Sequence, residues 1–315
     1  MIKYILQRLG LMLLTLFIIV SIGFFVIRLM PGSPFDDPDY SPELVQMLEE
    51  KAHLHEPIAV QYYYFLRDLV LKGDWGISLK IAPSQPVFQV LKDRIPYSMA
   101  LHVSILISIP LGMIAGTIAA LHKAKLVDHV VSFLVIICIS VPSFVFASLL
   151  QYLLAFKGGM PIIFNATGTT GEKWYSLILP ILALSFSPIA TITRYLRGEL
   201  IETMSSEYLL LAKTKGLSRA KAIVRHAFRN SLVPLAPVII PMFTHIMSGS
   251  LVIERIFSIP GVGGIMTKSI NAYDHWLTIA ILIFYSVINL ATILIVDISY
   301  ALIDPRIRLG GDKNG

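Results

Sequence analysis

Six long runs without Asp, Glu, Lys or Arg dominate the chain: Leu9–Ile27, Ile95–Leu121, Val130–Phe156, Trp174–Thr193, Ser231–Ile253 and Trp276–Val296. A helix that crosses a bilayer needs about 20 mainly apolar residues at a rise of about 1.5 Å each. Every run is long enough. The pattern predicts an all-α integral membrane protein with six transmembrane helices over residues 9–28, 96–121, 130–156, 174–194, 232–253 and 276–300. The first run continues to Arg28 and Pro31, past the roughly 7 to 15 apolar residues of a secretory signal, so it is expected to be retained.

The polar residues between the runs orient them. Lys3 and Arg8 precede the first run, Lys123 and Lys125 follow the second, and Lys213, Lys215, Arg219, Lys221, Arg225 and Arg229 lie between the fourth and fifth. Arg306, Arg308 and Lys313 close the chain. Cytoplasmic loops are enriched in Lys and Arg, and six spans put all four segments on one side, so both termini are expected in the cytoplasm. Residues 31–94 then form an extracytoplasmic insertion, rich in acid: Asp36, Asp37, Asp39, Glu43, Glu49, Glu50, Glu56, Asp68, Asp74 and Asp93. Within it SPELVQMLEEKAHL predicts a helix capped by Ser41, with Pro42 first and Glu43 in the first turn, and QYYYFLRDLVLKG predicts a second, ended by Gly73.

Composition agrees with this picture. The chain is 55% hydrophobic and 15% charged, against about 25% charged for soluble domains. The net charge of +6 belongs to the cytoplasmic loops and is no nucleic-acid signal. The single Cys138 excludes an internal disulfide. No low-complexity tract, linker or short repeat divides residues 1–315, which read as one membrane domain. Pro110, Pro142, Pro180, Pro188, Pro237 and Pro241 fall inside the runs and are expected to kink them.

One stretch breaks the apolar pattern. EYLLLAKTKGLSRAKAIVRHAFRNS, residues 207–231, the bulk of a hairpin expected over 205–230, predicts a short helix from Glu207 to Lys215 with Ser205 or Ser206 as cap and Gly216 as its stop. Ser218 caps a second helix with Ala220, Ile223, Val224, Ala227 and Phe228 on one face and Lys221, Arg225 and Arg229 on the other. Three readings compete for this hairpin. Its tethers at both ends leave little freedom to enter a nucleic-acid groove. A helix lying on anionic headgroups accounts for the bases but not for the first helix and its glycine stop. A docking element for a cytoplasmic partner accounts for both helices.

EYLLLAKTKGL followed by RHAFRNSLVP resembles the cytoplasmic signature of ATP-binding-cassette importer permeases of the peptide and nickel group. KYILQRLGLMLLTLFIIVSIGFFVIRLMPGSP, ISVPSF, ERIFSIPGVGG and VDISYALIDPRIRL resemble the same family in the same order, and the start, with MPGSP after the first run, is similar to the first (B-type) permease of oligopeptide transporters. The resemblance implies a type I importer permease fold in a bacterial or archaeal cytoplasmic membrane, translocating peptides, oligopeptides above all, by alternating access. It implies a second permease subunit, two cytoplasmic ATPases that hold ATP and Mg, and an extracytoplasmic peptide-binding protein as partners, with no cofactor in this chain. On its matching residues it makes Glu207, Tyr208, Ala212, Lys215, Gly216 and Leu217, with Arg225 and Arg229, the ATPase-coupling site. Leu210 and Leu211 stand where relatives often carry Arg and Thr, which implies a more apolar ATPase groove. SIPGVGGIMTKSINAYDHW, residues 258–276, which covers most of the loop expected over 256–275, resembles a re-entrant loop facing the binding protein, where Pro260, Gly261, Gly263 and Gly264 are expected to permit tight turns.

Other chemistry is sparse. GGIMTKS has Thr267 rather than glycine before Lys268, so no phosphate-binding loop is present and no enzyme activity is expected. His53 and His55 in HLHEP are two apart rather than four, which does not make a metal site. Polar residues inside the runs are costly in lipid, so Gln151, His245 and Asn289, with Pro142, Ser143 and Phe144, are the candidates for the translocation path. Against that reading, His245 and Asn289 can bond across helix interfaces and Asp297 can pair with Arg306. A dipeptide or nickel-chelate importer of the same architecture, and a receptor that moves nothing, remain the rivals.

Overall fold

The computed structural model describes residues 2–35, 40–51 and 53–303. Asp36, Asp37, Asp39, Arg306, Arg308 and Lys313 lie outside the described residues, as do the side chains of Lys3, Tyr208, Ala212, Lys213, Arg219, Ala220 and His245.

The chain opens with α1 (Ile2–Leu29). In α2 (Pro42–Lys51) the Leu44 N–H donates to Ser41 Oγ at 3.3 Å, so Ser41 is the expected cap and Pro42 the first helical residue. α3 (Ile58–Leu71) starts earlier than its polar Gln61 suggests and stops at Gly73, whose φ of +62° suits the residue after a helix. The Lys72 and Asp74 N–H groups both return to Asp68 O, at 3.2 and 3.0 Å. Strands β1 (Ile77–Ser78) and β2 (Gln85–Pro86) pair antiparallel, Ile77 opposite Pro86 and Ser78 opposite Gln85. Then come α4 (Val87–Ala100), α5 (Val103–Leu121), α6 (Leu126–Ser140) and α7 (Ser143–Leu150), the last continued by a π-helical turn, Gln151–Phe156. α8 (Thr170–Met204) follows, started by a capping box between Thr169 and Glu172. The remainder is α9 (Glu207–Thr214), α10 (Arg219–Ala222), a π-helical turn Ile223–Phe228, α11 (Arg229–Leu232), α12 (Ala236–Ile256), α13 (Val262–Asn271) and α14 (His275–Ile303).

Among the described residues four helical stretches are long and apolar enough to cross a membrane unbroken: Tyr4–Leu29, Val87–Leu121, Thr170–Met204 and His275–Ile298. Leu126–Ser140 with Ser143–Phe156 makes a fifth only if a bent pair counts as one, so the count of six straight spans is not reproduced. α12 occupies the remaining apolar run, with side chains 244–250 outside the described set. Within the expected span over 130–156 the two halves meet at 100°, at the expected Pro142. The cause is Pro142, which drives the preceding Val141 out of helical backbone to φ −90°, ψ 122° and itself takes φ −59°, ψ 145°. Pro110, Pro180, Pro188 and Pro241 stay within continuous helices, and Pro237 sits at the start of α12, where a missing N–H is tolerated.

The chain forms two compact units. The first is built mainly from Met99–Ile259, and its center is α5 against α8. Ser104, Ser108, Gly112 and Gly116 of α5 recur every four residues, so small side chains form one stripe and the two backbones approach closely. A Cβ on Gly112 would stand 2.7 Å from Ile192 Cβ, and one on Gly116 would stand 2.8 Å from Thr193 O. Hydroxyls cross the seam: Ser108 donates to Ser185 O at 3.2 Å, Ser185 to Ser104 O at 3.3 Å, and Thr193 to Gly112 O at 3.3 Å.

The second unit comprises Leu6–Ser98 and Pro260–Ala291. Phe24 of α1 stacks on Phe65 of α3 at 5.0 Å, and Val20, Ile27, Ile279 and Ile283 complete that cluster. Ser21 and Tyr62 hydroxyls bond beside it. A second cluster joins Val87, Val90 and Leu91 of α4 to Val262 and Ile265 of α13 and Leu277, Ala280 and Ile281 of α14. Where these clusters lie within the spans, close van der Waals packing rather than removal from water holds them, because lipid is as apolar as the side chains.

Candidate functional site

The basic stretch folds as a hairpin continuous with the end of α8, within the first unit. α8 runs on beyond its apolar portion, with Leu196 and Leu200 buried. Ser206, one of the two expected cap residues, stands immediately before α9, and its carbonyl accepts the Leu209 and Leu210 N–H groups at 3.2 and 3.3 Å. The Ser205 and Ser206 hydroxyls instead donate back to Ile201 O at 3.0 Å and Thr203 O at 2.6 Å, satisfying the last carbonyls of α8. On α9 Leu209 is buried, while Leu210 and Leu211 are 63% and 55% exposed. Glu207 and Lys215 are exposed, and Leu217 is half-buried. Gly216 takes φ +88°, and a Cβ there would meet nothing within 4 Å. Its contribution is therefore backbone conformation alone.

Past the turn, Ser218 Oγ accepts the Lys221 N–H at 3.4 Å, the cap its position predicts. Ile223 and Ala227 are buried, Phe228 is half-buried and Lys221, Arg225 and Arg229 are exposed, as helical spacing predicts; Ala222 is buried too, outside the predicted face. Val224 departs from it, at 70% exposed. The segment Ile223–Phe228 is a π turn, whose wider i→i+5 winding rotates side chains off the 3.6-residue period. Ser231 fixes the hairpin's foot, donating to Ala227 O at 2.9 Å and to Thr203 Oγ1 of α8 at 3.1 Å.

A groove of about 590 Å³ opens elsewhere in the first unit, lined by Ser143, Leu184, Ser187, Pro188, Thr191, Tyr195, Pro237, Val238, Pro241 and Met242. Pro188 and Pro241 have no N–H to give to Leu184 O and Pro237 O four residues back, and both of those residues also line the groove. Among the described residues its lining holds the hydroxyl-bearing Ser143, Ser187, Thr191 and Tyr195 and no charged residue. Of the path candidates whose side chains are described, Ser143 lines it. Pro142 forms the α6–α7 break and Phe144 is 46% exposed. Gln151 Nε2 donates to Ile162 O at 2.7 Å and Ile256 O at 3.3 Å, bracing a turn. Asn289 is an exposed residue of α14 in the second unit, and the His245 side chain is outside the described residues.

Residues 256–275 hold the helix α13, buried through Val262, Gly263, Ile265 and Ser269. Gly263 and Gly264 lie in its first turn, and neither is among the described glycines with positive φ. The positive-φ positions that flank the helix are Ser258 (φ 54°) and Tyr273 (φ 57°) rather than glycines. Pro260 and Gly261 precede the helix, and the Val262 N–H donates to Ser98 Oγ at 2.9 Å.

Three carboxylates buried among the described residues, Asp128, Glu254 and Asp274, escaped sequence reasoning, and two of them have their partners in view. Asp128 of α6, 2% exposed, pairs with Arg197 of α8 through Nε at 2.5 Å and Nη2 at 2.8 Å, and accepts the Ala124 N–H at 2.9 Å. Asp274, fully buried, receives the Ser78 hydroxyl at 2.6 Å and the N–H groups of Leu79, Lys80 and Ile81 at 3.2, 3.1 and 3.1 Å. A charge at the edge of an apolar run was the available signal for Asp128. Nothing local marks the partners of Asp274, nearly two hundred residues away.

Known proteins place this architecture. Residues 108–309 match the family described as binding-protein-dependent transport system inner membrane component, and residues 1–102 match the N-terminal component of the same membrane proteins. The chain belongs to this family. It is 42% identical over 311 residues to the dipeptide transport system permease protein DppB of Lactococcus lactis, covering 98% of this chain and 100% of the relative. The oligopeptide transport system permease proteins OppB of Haemophilus influenzae and Escherichia coli are 37% and 36% identical, each over 98% of this chain and 100% of the relative. As a member of the family the chain is a multi-pass membrane component of a transport system, not an enzyme.

Proposed function

We propose that this chain is the B-type permease subunit of an ATP-binding-cassette peptide importer. It forms half of the translocation path with a second permease, and the Glu207–Arg229 hairpin docks into one of two cytoplasmic ATPases that hold ATP and Mg. Both termini face the cytoplasm, and residues 256–275 face an extracytoplasmic peptide-binding protein. The observation that carries the reading is the hairpin: a glycine at φ +88° joins α9, with exposed Leu210 and Leu211, to a turn with exposed Arg225 and Arg229. Its foot is bonded to α8, so force on the hairpin reaches a long span.

Substrate class follows from the relatives and the groove. A lining with hydroxyls and no charged residue suits peptide backbones of varied sequence, and the oligopeptide relatives favor longer peptides. The 42% identical dipeptide permease supports dipeptides as the second reading. Uptake of labeled dipeptides against pentapeptides by cells carrying the chain with its partners separates the two.

The test of coupling is Gly216→Pro, because proline is fixed near φ −65° and cannot adopt +88°. The variant should insert normally, lose the co-purifying ATPases and lose uptake. Uptake at the wild-type rate would remove the hairpin from the coupling role. Arg225→Glu is a milder probe, where unchanged ATPase association with altered lipid binding would favor a headgroup contact instead.

A further inference from the structure

A second groove of the first unit, about 380 Å³, lies between α6 and α8, lined by α6 residues from Val131 to Ser140 and by Thr193, Arg194 and Arg197 of α8. From Val131 to Ser140 a helix rises about 14 Å, close to the roughly 15 Å of hydrocarbon in one leaflet of a bilayer. Arg194 and Arg197 follow directly on the apolar run that ends at Thr193, and Lys123 and Lys125 stand just before α6. The pair between Arg197 and Asp128, in the first turn of α6, brings these two charged stretches together. One end of the groove is therefore basic, at the level where both helices leave the hydrocarbon. The remainder is walled by Val131, Val135, Ile136 and Ile139.

The bases at that end are not balanced. Arg197 uses its Nε–H and one Nη2 N–H on Asp128, which leaves three of its five donors. Arg194 is exposed and has no hydrogen bond, ion pair or aromatic contact among the described residues. No Asp or Glu is among the described residues that line the groove, and Asp128 is already taken by Arg197 and the Ala124 N–H, so the set keeps a net positive charge. A cation at the edge of hydrocarbon is costly unless an anion meets it, and basic pockets between membrane helices take lipid head groups. An apolar helix of another subunit would cover the wall but leave Arg194 without a counter-charge. A free phosphate would meet the guanidinium but leave the wall bare. A phospholipid of net negative charge brings both parts in one molecule, whereas a zwitterionic one would set its own ammonium among the bases.

We propose that this groove holds one anionic phospholipid, its phosphate against the Arg194 guanidinium and the remaining N–H groups of Arg197, and an acyl chain along Val131, Val135 and Ile139. The site is separate from the groove beside Pro188 and Pro241. It depends on the chain's membrane setting alone, and not on what the transport system carries.

The test uses the full chain, freed of lipid in detergent and titrated with phosphatidylglycerol or phosphatidylcholine under native mass spectrometry. One phosphatidylglycerol should bind at least about fivefold tighter than phosphatidylcholine of the same chains, the effect of one basic residue beside a membrane. Arg194→Gln should abolish that preference, and Arg194→Lys should keep most of it. Because Arg194 has no partner to lose among the described residues, both variants should melt as wild type does. Val135→Trp fills the apolar wall and should weaken both lipids alike. Glycerol phosphate, a head group without chains, should not displace the bound lipid. Equal affinity of the wild-type chain for the two lipids would overturn the proposal, as would phosphatidylglycerol binding unchanged in both Arg194→Gln and Val135→Trp. Displacement by glycerol phosphate would make the site a plain anion pocket and overturn it too. Lipid held by the chain alone but lost when it is purified with its companion subunits would make the groove a protein interface, and the proposal would fail.

Discussion

Asp128 and Asp274 are both buried acids, one in each compact unit, and they are held in opposite ways. Asp128 faces a full positive charge, the bidentate guanidinium of Arg197, with one backbone N–H beside it. Asp274 takes all five of its hydrogen bonds from neutral donors: a hydroxyl, three consecutive amides of residues 79–81, and the Leu277 N–H at the start of α14. The first arrangement ties side chain to side chain between helices α6 and α8. The second ties side chain to backbone, so the acid sets the path of a loop. An ion pair has two replaceable members, whereas a ring of amides has only one.

Removing the acid from the amide ring should have the largest effect. Asp274→Ala leaves three consecutive N–H groups and a helix start without their acceptor, each worth about 1–3 kcal/mol when buried, so a loss of about 4 kcal/mol or more is expected. Hydrogen exchange should locate it: the amides of Leu79, Lys80 and Ile81 should exchange at least about a thousandfold faster. Protection of those amides at the wild-type level would mean that backbone, not the carboxylate, holds the loop.

Asp128→Ala should cost somewhat less, about 3 kcal/mol, the lower end for a broken buried pair, because the Arg197 side chain is 33% exposed and can regain water. The comparison sharpens with the double change Asp128→Leu with Arg197→Met. Apolar residues of similar size often substitute for a buried pair without loss, so the double variant should unfold within a few degrees of wild type in a detergent melt. A double variant as unstable as Asp128→Ala would show that the Ala124 N–H, not Arg197, is the partner that matters.

These two acids also mark where the sequence stops being informative. Helix starts and stops were legible wherever they depend on neighbors a few residues away: Ser41 before Pro42, Gly73 after α3, Gly216 and Ser218 in the hairpin. The break at Pro142 was legible in kind but not in size, since Pro110, Pro180 and Pro188 remain in continuous helices and only packing decides which prolines bend. Val224 failed because a π turn changes the period, and a local sequence gives no sign of that. Of the candidate path residues Ser143 reaches the groove and Gln151 braces a turn, a distinction made by residues more than ten positions away. Asp274 finds four of its five donors 193 to 196 residues earlier, at a range where no periodicity operates.

The smallest effect is expected where the acid is on the surface. Asp68 accepts from Arg67 Nε at 2.8 Å and pairs with Lys72 Nζ at 2.9 Å, but its side chain and those of its partners are 31%, 33% and 59% exposed. The Arg67 hydrogen bond, with that of Lys72 second, holds its carboxyl down to about 2, and the same bond raises the Arg67 guanidinium above its ordinary value. A folded-state value below the ordinary carboxylate range of about 3.9 contributes stability that is complete above that range and is lost as pH falls toward about 2. Solvent screens this pair, so Asp68→Asn should leave the melting temperature at neutral pH unchanged within error and differ from wild type only in the steepness of the acid limb. A large loss at neutral pH would put Asp68 with Asp128 and Asp274, and would mean that charge pairing in α3 matters even where water reaches it.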